Sequence, residues 1–133
     1  MRDVSYRARL HLAAALMASA CLCVGTAAAD STDDAVARAT RMAYDSALKC
    51  FVADGYASDE RRKAGDGEKS AAYRAKARVS FDLAYTAGGK IGLSDDQIGR
   101  DFDFALKTEL PRFKGDTRYL LDTASTCKAL GLM

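Results

Sequence analysis

Apolar positions recur along this chain with a period of three to four residues in four segments, and no stretch alternates with the period of two that marks a strand. The first segment runs from about Asp33 to Ala53. Val36, Thr40, Ala43, Ala47, Cys50 and Phe51 fall on one stripe, widened by Tyr44 and Leu48. Ser31, with Asp34 three residues on, resembles a capping box at its start. The second segment runs from about Glu68 to Ala87. Ala72, Ala75, Val79, Leu83 and Ala87 make a narrow apolar face, with Phe81 and Tyr85 beside or opposite it, and Gly88-Gly89 reads as its end. The alanines permit close helix approach, either within a bundle or across a dimer.

The third segment opens at Ser94-Asp95-Asp96-Gln97, a capping box in which the hydroxyl accepts from the Gln97 amide and Gln97 reaches back. Asp95 and Asp96 also favour the positive end of the helix dipole. Ile98, Phe102, Ala105 and Leu106 point one way, and Pro111 predicts a stop near Leu110. The fourth segment starts near Asp116. Leu120, Ala124, Cys127 and Leu130 line its inner face, and Gly131 is a natural terminator. The fold expected is all-α, a small bundle of four (or four to five) helices.

Between the first two segments, Ala57 to Lys69 holds the charged run Asp59-Glu60-Arg61-Arg62-Lys63 and then Gly65-Asp66-Gly67. This composition reads as an exposed connection, either a solvated linker or a protruding binding loop. The turn after the second segment, with Gly88, Gly89 and Lys90, is the other polar, glycine-bearing candidate for partner binding.

The amino terminus has a different logic. Arg2, Arg7 and Arg9 precede an apolar run from Leu10 to Ala20, and small residues stand at Ala27 and Ala29. That order is the pattern of an export signal, with cleavage expected between Ala29 and Asp30 and a single helical domain over residues 30–133. The run is shorter than the roughly 20 residues of a bilayer span, so no membrane association is expected after cleavage. Lipidation of Cys21, after Ala18-Ser19-Ala20, is the competing reading. The leader takes with it Arg2, Arg7, Arg9 and Asp3, which leaves 17 basic and 17 acidic residues of the original 20 and 18. A balanced charge argues against a general nucleic-acid binder.

Cys50 and Cys127 are then the two cysteines that remain, late in the first and last segments and on both inner faces. In the oxidising environment that export implies, they are expected to pair. A loop of that length gives roughly 4–5 kcal/mol by chain-entropy arithmetic. The spacing is not C-x-x-C, so a redox-active role is not expected.

The one histidine, His11, lies in the leader, and the chain has no Trp. Residues 30–133 therefore cannot form a Ser-His-Asp or Cys-His centre or a His-ligated metal site, and no cofactor is expected. Ser46–Lys49 and Ser125–Lys128 have Ser-x-x-Lys spacing without the companion motifs of the penicillin-recognising enzymes. Asp96, Arg100 and Asp103 share a face that reads as an exposed ion-pair row. Phe51, Phe81, Phe102 and Tyr119 read as core, with a ligand pocket as the alternative. The chain is accordingly expected not to be an enzyme but to bind something.

Tyr44-x-x-Ala47-x-x-Cys50, the Ala-rich second segment and Cys127 within Leu121-Asp122-Thr123-Ala124-Ser125-Thr126-Cys127 give a layout that resembles the periplasmic immunity proteins of type VI secretion amidase effectors. The resemblance implies a periplasmic homodimer that plugs the active site of a secreted peptidoglycan hydrolase. A structural or stress-chaperone protein of the envelope, with no defined ligand, is the alternative.

Overall fold

The computed structural model describes the backbone of residues 4–133 and the side chains of residues 31–133. It contains helices α1 (Val4–Lys63), α2 (Gly67–Lys90), α3 (Asp95–Gly115) and α4 (Thr117–Ala129). The all-α bundle read from the periodicity is thus the observed fold. The chain divides into two compact units, residues 1–38 and 39–133. In the first unit α1 already runs without a break through Ser31 and Asp34, so these residues do not cap a helix. Val36, expected on the inner stripe, is exposed. The side chains of the expected leader, with its cleavage point between Ala29 and Asp30 and with Cys21, lie outside the described residues.

In the second unit, α1 contributes Tyr44, Ala47, Leu48, Cys50, Val52 and Ala53 to the core. Against them lie Ala84 and Ala87 of α2 and Ile98, Phe102, Ala105 and Phe113 of α3. Phe51, Phe81 and Phe102 pack on one another: Phe102 stands edge-on to Phe51 at 4.9 Å and stacks with Phe81 at 5.0 Å. Phe102 is buried in the core, and Phe51 and Phe81 are partly buried against it. Tyr119 packs elsewhere, against Phe113 at 5.5 Å.

Cys50 and Cys127 form the expected disulfide, with Cα atoms 5.7 Å apart and 77 residues between them in sequence. Leu132 is buried beside them, and Leu83 and Met133 pack against the group. Seven residues after Phe51, the Ser58 hydroxyl donates to the Ser70 carbonyl at 2.9 Å and joins α1 to α2.

Three helix ends differ from expectation, each for a local reason. The charged run Asp59–Lys63 belongs to α1 and is not a loop. Lys63 pairs with Asp59 at 2.8 Å and with Glu60 at 2.9 Å, Arg62 also pairs with Asp59, and basic residues in a last turn suit the helix dipole. The helix ends at Lys63, and the turn after it carries Gly65, whose φ of 80° a side chain would resist. The Asp66 amide reaches back to the Arg61 carbonyl at 2.9 Å, and Asp66 caps α2 by accepting from Lys69. Gly88 and Gly89, read as the end of α2, lie inside it. Gly92 carries the positive φ, and the Leu93 amide bonds to the Gly88 carbonyl at 3.0 Å. Pro111 sits inside α3 without ending it. Phe113, two residues on, is 2% exposed. Burying such a ring is worth about 1.5–3 kcal/mol, which offsets most of the ~3 kcal/mol that an interior proline costs.

The inner face of α2 is also rotated from the expected one. Ala72, Ala75 and Val79 face solvent, whereas Ser70, Ala77, Ser80, Ala84 and Ala87 are buried. Leu106 and Leu130, expected inside, are likewise exposed. The capping box at Ser94, the Asp116 cap and the Gly131 terminator are as the sequence indicates.

Candidate functional site

The middle of α1 in this unit lies between α3 and α4, and a groove runs along each side of it. The groove against α3 has a volume of about 350 Å³ and is lined by Arg41, Tyr44, Asp45, Lys49, Asp101 and Phe104, among others. The groove against α4, about 330 Å³, shares Asp45 and Lys49 with it and reaches Tyr119, Asp122 and Thr126. Position i and i+4 on one helix share a face, which is why Arg41, Asp45 and Lys49 form a single row of alternating charge. Arg41 and Asp45 are an ion pair at 3.5 Å, exposed on both sides and therefore weak.

The walls are held from below. The Tyr44 hydroxyl donates to Asp101 Oδ2 at 2.7 Å and ties α1 to α3. Burial, followed by this bond to a carboxylate, holds the Tyr44 hydroxyl well above the usual phenol range. Tyr119 donates to Glu109 Oε2 at 2.6 Å, while the Arg112 guanidinium lies 3.8 Å from its ring centroid and the Lys49 ammonium 5.3 Å. Lys49, the lysine of one Ser-x-x-Lys pair, is thus seated on an aromatic face.

Phe104 breaks this self-satisfied surface. It follows the buried Phe102 by two residues, so α3 turns it outward, and it stands 69% exposed on the lip of the groove. The ring puts an apolar point beside the charged row of Arg41, Asp45 and Lys49.

The partner-binding residues expected from the sequence do not come together. Asp59, Glu60, Arg61, Arg62 and Lys63 occupy the last turn of α1, next to the start of α2. Gly88, Gly89 and Lys90 occupy the last turn of α2. At ~1.5 Å per residue the length of α2 keeps the two groups about 30 Å apart. Gly88 is moreover buried in the core. Glu60 and Arg61 do border a further groove at their end of the bundle. Sequence periodicity missed Phe104, whose signal was an aromatic residue on the polar side of a strongly amphipathic helix.

Asp54 is the other unusual group. Its side chain is fully buried, and neither carboxylate oxygen has a hydrogen-bond partner. Desolvation pushes its pKa up to about 7, against a smaller lowering by the Lys76 charge. Cys50, Asp54 and Ser58 are successive i, i+4 positions on one face of α1. The buried carboxyl is therefore held between the disulfide and the Ser58–Ser70 bond. Among the described residues, no three potential metal ligands lie close enough to hold an ion, and no helix is long and apolar enough to cross a membrane. No protein family, curated protein or solved structure matches this chain.

Proposed function

We propose that this chain is an exported recognition protein of the cell envelope that acts by holding one protein partner rather than by catalysis. Its class is the inhibitor or immunity protein, with a peptidoglycan-targeting amidase as the partner. The observation that carries the reading is Phe104, exposed beside the Arg41–Asp45–Lys49 row on a helix pair fixed by the Tyr44–Asp101 bond. A rigid backbone under an exposed aromatic anchor lowers the ordering cost of docking. Export is supported by the basic start and small residues before Asp30, and by a disulfide of the kind that persists in oxidising compartments such as the periplasm. The absence of histidine from residues 30–133 is in keeping with a non-catalytic role.

The alternative, a stress chaperone that opens in mild acid, has less support. Protonating Asp54 removes a buried charge, so this group makes the bundle more stable in mild acid, not less.

The test is to look beside this chain's own gene for one that encodes a secreted amidase, and to mix the two proteins directly. The expected result is a one-to-one complex in size-exclusion chromatography and arrest of peptidoglycan hydrolysis. Phe104→Ala should weaken the complex by about tenfold or more, as truncation of an interface anchor does. An amidase that stays active and elutes apart from the chain would overturn the reading.

A further inference from the structure

The groove at the end of the bundle, about 510 Å³, is formed by residues of all four helices. Its size lies within the ~300–1,000 Å³ of small-molecule sites. Tyr56 and Phe113 form part of its floor, 6.4 Å between ring centroids, with Tyr73 and Leu120 beside them and Leu121 63% exposed at the edge. A second depression of about 260 Å³ along α2 shares Tyr73 and Met133 with it, so the apolar lining continues past Ala72.

Cations surround this lining: Arg61 from α1, Lys76 from α2, Lys114 from α3 and Lys128 from α4. None of the four is within ion-pair distance of a carboxylate among the described residues. The rim acid, Glu60, is already held by Lys63, and the fifth rim cation, Lys69, by Asp66 at 3.1 Å. An apolar floor beside unpaired positive charge calls for a ligand that carries both a tail and an anion.

We propose that this groove binds a free anionic amphiphile, a single acyl chain with a carboxylate head. The chain lies along Tyr56, Tyr73, Leu120 and Leu121, and the head sits among Arg61, Lys114 and Lys128. The recessed floor favours a separate chain over a bilayer. The lining is drawn from all four helices around a volume of about 510 Å³, a space that fits one chain and not the face of a bilayer.

Dodecanoate, kept below its micellar concentration, is the probe, titrated into the exported chain by calorimetry and amide NMR. Saturable one-to-one binding is expected, with shifts gathered at Tyr56, Tyr73, Leu121 and Met133. Dodecyltrimethylammonium, with the same tail and the opposite charge, should bind about tenfold more weakly or worse. The triple variant Arg61→Glu, Lys114→Glu, Lys128→Glu should lose about tenfold in affinity while keeping its helical spectrum. The single variants Lys128→Glu and Leu121→Asp repeat the head and tail arms separately if the triple variant does not fold. Equal binding of the two amphiphiles, shifts spread over the whole bundle, or variants that bind like the parent would overturn the proposal. So would binding to phosphatidylglycerol vesicles without binding to monomeric dodecanoate, which would make the groove a membrane contact. The amidase reading, which rests on Phe104 in the groove between α1 and α3, stands or falls separately.

Discussion

Gly88 of α2 faces Ile98 of α3 so closely that a Cβ at position 88 would lie 2.7 Å from Ile98 Cδ1 and 3.0 Å from Tyr44 Cε2. The glycine is therefore a packing residue where three helices meet, not a helix terminator. Gly89, its neighbour, has open space around the same construction. Gly88→Ala is expected to destabilise the protein by about 1–3 kcal/mol through overpacking, partly offset by up to ~1 kcal/mol of helix propensity. Gly89→Ala should instead be neutral or stabilising by about 0.4–1 kcal/mol. Urea unfolding of the pair checks this, and equal effects at the two positions would refute the packing role.

Asp54 predicts an unusual pH profile. Its native carboxyl keeps its proton up to about pH 7, whereas the unfolded one releases it near 3.8. The native state binds more protons in that window, so the Asp54 contribution to stability falls as pH rises from about 4 to about 7 and then levels off. Asp59 and Asp66, both lowered by hydrogen bonds and nearby cations, act with the opposite sign, and their contributions are lost as pH falls below about 3.8. Maximum stability should thus lie in mild acid. Asp54→Asn should flatten the slope between pH 4 and 7 and be the more stable protein at pH 8, by on the order of a few kcal/mol. Parallel melting-temperature profiles for the two proteins would exclude this.

The Cys50–Cys127 bridge ties α1 to α4 across 77 residues. Its removal, by Cys50→Ser with Cys127→Ser or by reductant, should cost about 2–5 kcal/mol. A domain of this size has only about 5–15 kcal/mol to lose. Denaturant midpoints with and without dithiothreitol measure it. The same samples should show Cys50 and Cys127 closed to thiol reagents before reduction.

The Tyr44–Asp101 bond joins the two helices that frame Phe104. Tyr44→Phe should cost about 1.5–3 kcal/mol, the range for a hydrogen bond to a charged acceptor. It should also broaden the amide signals near Phe104 if the bond fixes that groove. A variant of unchanged stability and unchanged spectra would remove Tyr44 from the site's support.

Helix identity was legible in the sequence because it is carried by local spacing. The Ser94 box, the Asp116 cap and Gly131 act within a few residues of themselves, and each stands where the residues place it. The cysteine pairing was legible for a different reason: Cys50 and Cys127 stand on the inner faces of the first and last segments, where one bridge can join them. The candidate site was less visible. Phe104 lies off the apolar stripe of Ile98, Phe102 and Ala105, so the periodicity of α3 does not mark it. The bundle-end groove draws Arg61, Lys76, Lys114 and Lys128 from four separate helices, and no spacing rule connects them.

The sequence by itself determined that this chain is helical, that Cys50 and Cys127 stand on inner faces of its first and last segments, and that residues 30–133 contain no histidine for catalysis. These are properties of composition and of contacts within one or two turns. The tertiary structure decided where helices end and which face is inside. Pro111 is carried through because Phe113 is buried, and Gly88 is internal because Ile98 and Tyr44 need its missing side chain. It also decided that Ala72, Ala75 and Val79 face water while Ser80 and Asp54 are buried. Alanine, glycine and serine are small enough to sit on either side of a helix, so their placement depends on the neighbouring helix and not on their own hydrophobicity.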